Sequence, residues 1–470
     1  MKKIVHLILI SAILANVYAA DIIVTTADEF KQAVSIDVQN GDIIKFNLLS
    51  GTNNTLDLAQ ATKLQIRCAE NTAVTIDGAL PGGERTILTN SITTQEEFFN
   101  YAGSANFDGA SVTFKNLIIR DFRMNGRSGL IRSGNSAWTT AGKTNQIVFE
   151  NVTFINNQQA TPAVADGLFD LRQGTIATFR NCSFVENKIL QNEVPTGGKK
   201  TLFALNSNIS GFHLINCTFY GNEVGTAAAT QYLIENAGVN TKIVNCTFVN
   251  NTAPKGIMRV VKSKDYSYVV NSLFAYNTAS GTDQTAVDLI AANVSTDGLN
   301  TVSAQTIVAY SAFNSGAYIA PDAPGIHTGS AYDQASLFSG FTSGKPNLNR
   351  VNYTVPLAKN ITGTATFTGV DIPSVDQLGS VRNVVNPTLG ALEFLTTGIS
   401  PLTSGNFKLV VGKQGLVVLD ADAQDFVLYD SMGRKLKSGT LINNVIELQS
   451  IRPGVYFLTM NNKSEKFVVY

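Results

Sequence analysis

The chain has 470 residues and balances 35 Lys and Arg against 35 Asp and Glu, and only 15% of its residues are charged. A nucleic-acid-binding domain usually carries a basic excess, so this balance argues against nucleic acid as a partner. Three histidines in the whole chain are too few to favour a histidine metal cluster or a Ser-His-Asp triad.

The N-terminus has the pattern of a cleaved signal peptide. Lys2 and Lys3 precede an apolar run over residues 4–17, which ends in the small-residue pattern that a signal peptidase reads. We therefore expect residues 1–19 to be removed during export. No other segment is a candidate transmembrane span, so none is predicted in the mature protein.

A capping-box pattern, Thr26-Ala-Asp-Glu29, opens the region that follows. Apolar Phe30, Ala33 and Val34 come next at helical spacing. This predicts a short helix, whose role would be to cover the open end of a stack of β coils.

The centre of the chain repeats one short motif, an asparagine followed by strand-forming residues. The steps between its six copies are 35, 30, 35, 29 and 26 residues. Repeats of this length predict an all-β solenoid of stacked coils, because each coil leaves its apolar face open until a neighbour covers it. The motifs start at Asn116, Asn151, Asn181, Asn216, Asn245 and Asn271.

Four of these asparagines are predicted to form a buried structural ladder along the coils. Their side chains could bond to one another and to the backbone of the bend, which satisfies groups that bending removes from the sheet. All four also match the N-glycosylation pattern, but a buried ladder accounts for the four together. The ladder residues are Asn151, Asn181, Asn216 and Asn245.

Cysteine follows three of the motif asparagines, as Cys182, Cys217 and Cys246. Coils stacked about 4.8 Å apart would align these sulfurs in an internal column. That separation lies within the range of disulfide Cα distances, so the sequence leaves open both a column of thiols and a bridge between adjacent coils.

The C-terminal part differs in pattern. A polar linker over residues 396–405 precedes short alternating strands separated by regular turns in residues 406–470, which predicts a small β-sandwich. The stretches Phe426-Val-Leu-Tyr-Asp-Ser-Met-Gly-Arg-Lys-Leu436 and Leu448-Gln-Ser-Ile-Arg-Pro-Gly-Val-Tyr-Phe457 resemble the C-terminal sorting domain of bacterial type IX secretion. The resemblance implies export through the periplasm, the type IX machinery as a partner, and a secreted or outer-membrane-surface location.

Residues 20–395 resemble the right-handed parallel β-helix proteins of the pectate-lyase-like superfamily, including the chondroitinase-B-like group. The opening segment with Thr75-Ile-Asp-Gly78, the asparagine coils and Gly390-Ala-Leu-Glu-Phe394 carry this resemblance. It implies binding of an acidic, uronate-containing polysaccharide and, in the enzymes, cleavage by β-elimination. The alternative is a non-catalytic adhesin or structural surface protein on the same scaffold. No calcium-binding carboxylate motif is found, so no cofactor is predicted, with calcium left open.

The strand before each motif strand supplies the candidate site. Aligning their inward apolar residues predicts an outward row, and its arginines match the role of Arg or Lys in polysaccharide lyases, which abstract the proton α to a uronate carboxylate or neutralise that carboxylate. The competing interpretation is an ordinary solvated surface. The candidate catalytic residues are Arg132, Arg172 and Arg259, and the candidate substrate-binding residues are Asp170, Asn206, Glu235 and Lys262.

Overall fold

The computed structural model divides the chain into two compact units, one ending at Glu393 and one covering Phe394–Tyr470. The residues that the structure describes are 19–35, 40–48, 53–68, 70–81, 83–93, 98–101, 108–125, 128–133, 144–160, 167–190, 201–205, 209, 211–225, 232–236, 240–260, 267–281, 287–294, 300–302, 306–313, 317–318, 327–328, 372–382, 389–392, 408–411, 415–419, 425–431, 433–440, 445–447, 454–460 and 463–469. The predicted signal peptide lies almost wholly outside them. Among them, no helix is long and apolar enough to cross a membrane.

Three parallel sheets build the first unit from the described residues. The 18-stranded sheet contains Asp21–Val24, Ile43–Phe46, Thr55–Asp57, Ala73–Asp77, Thr86–Thr89, Ser111–Arg120, Asn145–Ile155, Thr175–Arg180, Ser183–Val185, Gly211–Ile215, Thr218–Tyr220, Thr241–Val244, Thr247–Val249, Ser267–Val270, Leu273–Ala275, Thr306–Ala309, Ala312–Phe313 and His327–Thr328. The nine-stranded sheet contains Leu64–Gln65, Phe99–Tyr101, Ser128–Ser133, Gly167–Leu171, Phe203–Leu205, Tyr232–Asn236, Gly256–Val260, Leu289–Ile290 and Ala317–Tyr318. The six-stranded sheet contains Arg123–Met124, Gln158–Ala160, Lys188–Leu190, Glu223–Val224, Thr252–Ala253 and Thr278–Ala279.

Each coil visits these sheets in the same order. One turn passes from Gly167–Leu171 of the nine-stranded sheet to Thr175–Arg180 and Ser183–Val185 of the 18-stranded sheet, and then to Lys188–Leu190 of the six-stranded sheet. The next coil pairs parallel to it in register. The fold is therefore the predicted right-handed parallel β-helix. The described residues of this unit also include a short antiparallel pair, Ala292–Val294 with Asn300–Val302.

Stacked phenylalanines fill the core. Parallel register places the same inward position of successive coils one strand spacing apart, which is also the distance at which two rings stack. Phe149 and Phe179 have ring centroids 4.8 Å apart at 9°, and Phe169 and Phe203 are 4.5 Å apart at 8°. A second stack runs through Phe154, Phe184, Phe219, Phe248, Phe274 and Phe313.

The predicted N-terminal helix is confirmed as Ala27–Ser35. The amide of Glu29 donates to Thr26 Oγ1 at 3.3 Å, and the amide of Thr26 donates back to Glu29 Oε2 at 3.3 Å, which forms the capping box. Phe30, Ala33 and Val34 are buried against the first coils. The helix thus supplies apolar cover at the start of the solenoid.

Every motif asparagine lies at a bend in the left-handed region, with φ between 50° and 56°. Asparagine tolerates this region better than most residues, which explains its recurrence at the bends. The predicted stacking is confirmed in part, because Asn216 Nδ2 donates to Asn181 Oδ1 at 3.1 Å and Asn245 Nδ2 donates to Asn216 Oδ1 at 3.2 Å. The prediction that all four side chains are buried was wrong, because Asn216 and Asn245 are buried, Asn181 is half-buried and Asn151 is exposed.

The continuously buried ladder is a different column. It lies between the 18-stranded and six-stranded sheets. Each side chain donates to a backbone carbonyl one coil earlier, and the first four also donate to the next asparagine, whereas the last, Asn277, donates to Asp288 Oδ1. Asn187 Nδ2, for example, donates to Asn222 Oδ1 at 2.9 Å and to Phe154 O at 3.0 Å. These amides satisfy buried backbone carbonyls that the turn leaves unpaired. The column is Asn157, Asn187, Asn222, Asn251 and Asn277.

The three motif cysteines form an inward column of free, fully buried thiols. Each Sγ donates to a backbone carbonyl; Cys182 Sγ, for instance, lies 3.4 Å from Phe149 O and 3.3 Å from Arg180 O. Of the two arrangements left open by the sequence, the structure has the thiol column. Burial raises the pKa of the Cys182 and Cys246 thiols well above its ordinary value.

A strap, defined here by residues 372–382 and 389–392, crosses the outward face of the later coils. The Gly390 amide donates to Asn271 O at 2.8 Å, and the Ala391 amide donates to Thr247 Oγ1 at 2.9 Å. Gly390 has φ 85°, and a Cβ there would collide with Thr247, so this close approach requires glycine. The Gly390 motif therefore lies against the side of the solenoid and adds no further coil.

The second unit contains two antiparallel sheets among its described residues. One holds Lys408–Val411, Gly415–Leu419 and Val445–Glu447, and the other holds Asp425–Asp430, Lys435–Thr440, Gly454–Met460 and Lys463–Val469. Phe426, Leu428, Leu458 and Met460 are buried on one face of the larger sheet, and Ile446 of the smaller sheet is also buried. This is the small all-β module predicted for the C-terminal region.

Candidate functional site

The outward face of the nine-stranded sheet carries a row of charged residues, as predicted, but two of the predicted residues are replaced by others. Strand register pairs Arg132 with Asp170, and pairs Glu235 with Arg259. Between these two pairs, the row passes through Ala204. From the early to the late coils, the row is Asn100, Arg132, Asp170, Ala204, Glu235, Arg259 and Ile290.

Arg172 was wrongly aligned with Arg132. Ile131 pairs with Phe169, so Asp170 takes the row position and Arg172 lies two residues further, just beyond the strand. The physical reason is the core: Phe169 packs edge-on against Phe154 of the preceding coil and against Phe179 and Phe184 of its own coil, which places Phe169 level with Ile131. The same shift places Ala204 in the row. Asn206, the predicted member from that coil, lies outside the described residues.

The side chain of Arg172 nevertheless returns to the row. Its Nε lies 2.7 Å from Asp170 Oδ2, and Arg132 Nε approaches the same oxygen at 3.7 Å. The Asp170 side chain is only 6% exposed, whereas those of Arg132 and Arg172 are 28% and 15% exposed. A buried carboxylate held between two more accessible guanidiniums fixes the position of both cations.

A second ion pair lies two coils further along. Arg259 Nη1 is 3.8 Å from Glu235 Oε1, and the Arg259 Cζ lies 6.0 Å from the centre of the Tyr232 ring. Arg259 Nε is buried and, within the described part of the chain, has no hydrogen-bond partner. Tyr232 was not among the sequence candidates; its only signal was its position two residues before Ile234, on the same strand.

Five charged side chains lie in or beside the row. Three arginines against two carboxylates leave one net positive charge on this face. Such guanidiniums suit neutralisation of a ligand carboxylate better than removal of a proton.

The aromatic side chains at the early end of the nine-stranded sheet, Phe98, Phe99 and Tyr101, are buried in the core, so they cannot stack on a bound sugar. Lys262, a predicted substrate-binding residue, lies outside the described residues. Within the described residues, no group of three or more His, Cys, Asp or Glu could hold a metal ion.

No protein-family model matches this chain, and no curated protein matches it. Among solved structures, the chain is similar to a mutant of the PL6 family alginate lyase AlyGC, with 14% identity and a TM-score of 0.19. The match covers 76% of this chain and 60% of that lyase. A TM-score this low supports no argument, so the architecture rests on the strand register itself.

Proposed function

We propose that the β-helix unit binds an acidic, uronate-containing polysaccharide along the row on its nine-stranded sheet. The observation that carries the proposal is the placement of three partly exposed guanidiniums on one face by Asp170 and Glu235. Arg132 and Arg259 are separated by four coil steps, or roughly 19 Å at the usual strand spacing. That span fits an extended chain better than a single sugar.

Ion pairing within the row is compatible with this role. A guanidinium carries five N–H donors, more than one carboxylate can accept, so an arginine already paired within the protein can bind a second carboxylate. The intramolecular carboxylates also reduce the side-chain freedom that the arginines would lose on binding. Asp170 and Glu235 are therefore positioning residues in this proposal, and Arg132, Arg172 and Arg259 contact the ligand.

The arrangement favours binding over β-elimination, because a guanidinium suits neutralisation of a carboxylate better than removal of a proton. A non-catalytic adhesin and a lyase differ in one observable product. Incubation with a panel of polyuronates, followed by ultraviolet absorbance, would reveal the unsaturated uronate that elimination generates. Retention of the protein in gels containing the same polyuronates would measure binding separately.

The sharpest variant changes Arg132 and Arg259 to Gln and keeps Arg172, so that buried Asp170 retains its 2.7 Å partner. We expect polyuronate affinity to fall about a hundredfold or more, because each of the two lost contacts to a charged group contributes about 1.5–3 kcal/mol. A matched control changes Lys45 and Arg120 to Gln, two exposed cations that are also ion-paired. Equal affinity of the row variant and the control would contradict the proposal.

Residues 406–470 are proposed to direct export by type IX secretion, with the protein released or attached at the outer surface. The resemblance of their sequence motifs and their separation as a distinct β unit support this role. Deleting them should leave the β-helix folded but retained in the periplasm, as measured by cell fractionation. Surface delivery of the truncated protein would contradict this assignment.

A further inference from the structure

A polar groove of about 490 Å³ lies on the 18-stranded sheet. This volume is within the usual range for small-molecule sites. It is built from the bends of three early coils and from one turn of the strap, on a different sheet from the arginine row. Its lining residues are Lys115, Asn116, Glu150, Asn151, Asn181, Gln377, Leu378 and Gly379.

The groove coincides with a gap in the column of bend asparagines. On its early side, Asn116 Nδ2 donates to Asp77 Oδ1 at 2.8 Å and Asn151 Nδ2 donates to Asn116 Oδ1 at 2.9 Å. On its late side, the chain of amides resumes with Asn216 donating to Asn181. Asn181 Nδ2, which would continue the ladder to Asn151, has no hydrogen-bond partner among the residues that the structure describes.

Two projecting segments border this gap. On the early side, Arg85 Nη1 donates to Asn151 O at 3.1 Å and approaches Asn151 Oδ1 at 3.4 Å, the oxygen that Asn181 would otherwise use. On the late side, Gln377 Nε2 donates to Cys182 O at 2.9 Å and to Ser183 Oγ at 2.8 Å. The bend column is thus interrupted at this position, between contacts on both sides; a second interruption, at buried Asn271, lies away from the groove.

The strap turn at the rim is rigid and presents an apolar side chain. Asp376 Oδ1 accepts the amides of Leu378 at 2.9 Å and Ser380 at 2.8 Å, and the Gly379 amide donates to Asp376 O at 3.1 Å. Leu378 is 67% exposed although it is a large hydrophobic residue. A fixed, exposed leucine beside polar groups offers a surface for the apolar face of a ligand.

The charges in and beside the groove balance, which favours an uncharged ligand over a polyanion. Lys115 Nζ is 3.1 Å from Asp77 Oδ2, and Arg85 at the border is opposite in sign to Glu150. The Glu150 carboxylate is exposed and, like Asn181 Nδ2, has no partner within the described residues. A carboxylate acceptor and an amide donor match vicinal hydroxyl groups, which both donate and accept, whereas Glu150 would repel a uronate.

We propose that this groove binds an uncharged, hydroxyl-rich carbohydrate, with Asn181 and Glu150 bonding to hydroxyls and Leu378 packing on a sugar ring. The site is separate from the arginine row in position and in ligand charge. A chain could therefore hold an acidic polysaccharide on one sheet and a neutral glycan on another. The proposal does not depend on the function proposed for the row.

The test uses the full chain in native gels containing neutral polysaccharides: laminarin, xylan, galactomannan and dextran. We expect at least one to retard the protein, and Asn181→Asp and Leu378→Asp to weaken that retardation about tenfold. Asn181→Asp keeps the oxygen that accepts from Asn216 and tolerates the bend conformation, while it removes the unpartnered amide. Both variants should keep the wild-type melting temperature.

Val381→Asp is the matched control, because Val381 is 72% exposed on the same turn and does not line the groove. It should bind like the wild type, and so should the Arg132→Gln, Arg259→Gln variant. Three results would overturn the proposal: no retardation by any of the four polysaccharides, equal binding by Leu378→Asp and Val381→Asp, or loss of neutral binding in the arginine variant.

Discussion

The residue before each bend asparagine is charged in the early coils and apolar in the late coils. Its outward side chain faces solvent in the first group, and in the second it is covered. The early positions are Lys115, Glu150 and Arg180, and the late positions are Ile215, Val244 and Val270. Two regions with the same internal repeat therefore have different outer faces.

The strap explains the difference. Ile372 packs against the cluster that contains Val244 and Val270, and Leu389 packs against Leu273 on the other side of the bend. Late coils thus bury apolar surface on both faces of the sheet, as strands with two covered faces require. In this solenoid the polarity of the outward residues therefore depends on whether another segment covers the coil. The inward residues are apolar in both regions, because they contact only the neighbouring coils.

Arg382 should show the largest effect on stability. It is 5% exposed, and its Nη2 donates to Asn216 Oδ1, Gly390 O and Ala391 O at 2.9–3.1 Å. Arg382→Ala should lower the free energy of unfolding by about 3–5 kcal/mol, because it leaves several buried acceptors unpaired. Urea denaturation measures the change. Arg180→Ala, in the early coils that the strap leaves uncovered, should lower the free energy of unfolding by less than about 0.5 kcal/mol. Similar losses in the two variants would refute the comparison.

His213 lies near the boundary between the two regions. Burial, assisted by Lys242 and Arg180, lowers its pKa from 6.5 to about 4, and its Nδ1 lies 3.3 Å from Thr178 Oγ1. As the pH falls below 6.5, the unfolded chain binds the proton first. The stability due to neutral His213 is therefore complete above pH 6.5 and is lost as the pH falls through 4.

Unfolding free energies measured between pH 7 and 4 would test this effect. The wild type should lose about 3 kcal/mol more than His213→Gln over this range, since one pKa unit corresponds to about 1.36 kcal/mol. The variant supplies the background from the acidic groups. Parallel pH profiles for the two proteins would show that His213 is not held in its neutral form.

The bend asparagines offer a matched pair across the two regions. Asn216→Ala should cost about 1–3 kcal/mol, because buried Asn216 donates to Asn181 Oδ1 and to Val375 O. Asn151→Ala carries the same penalty for its left-handed backbone but removes an exposed side chain. The difference between the two unfolding free energies isolates the buried hydrogen bonds. A larger loss at Asn151 would reverse the comparison.

The inward cysteines should be equally unreactive towards a thiol reagent in the early and the late coils. Cys182, Cys217 and Cys246 are fully buried and unoxidised, so none should react with a thiol reagent in the native protein. All should react in guanidinium chloride, as counted by mass spectrometry after labelling. If Cys182 alone were labelled rapidly in the native protein, the core of the early, uncovered coils would have to open to solvent.

The repeats in the sequence predicted the solenoid, its inward column of cysteines and the bends, because each depends on a local pattern repeated from coil to coil. The helix Ala27–Ser35 was likewise readable from a capping box and a few apolar positions. The buried ladder has its own sequence signal, an asparagine six residues after each of the last five motif asparagines. Its importance relative to the bend column was not visible, since burial depends on neighbouring segments.

The candidate site shows where local patterns were insufficient. Aligning strands by their apolar residues paired Ile131 with Leu171, whereas the core contacts of Phe169 with Phe154, Phe179 and Phe184 place Phe169 level with Ile131. This register puts Asp170 in the row in place of Arg172. A shift of two residues keeps every side chain on the same face, so alternation alone could not detect it.

The sequence by itself thus determined the stacked-coil architecture, because the inward residues of each coil pack against equivalent residues of the neighbouring coils and follow the same pattern each time. Tertiary structure decided the register of the charged row, the cover over the late coils and the open groove in the early ones. These depend on contacts between distant parts of the chain, such as Gln377 with Ser183 and Arg382 with Asn216. The repeat pattern does not encode such contacts. The residues that make them come together only when the chain folds and the strap packs against the coils.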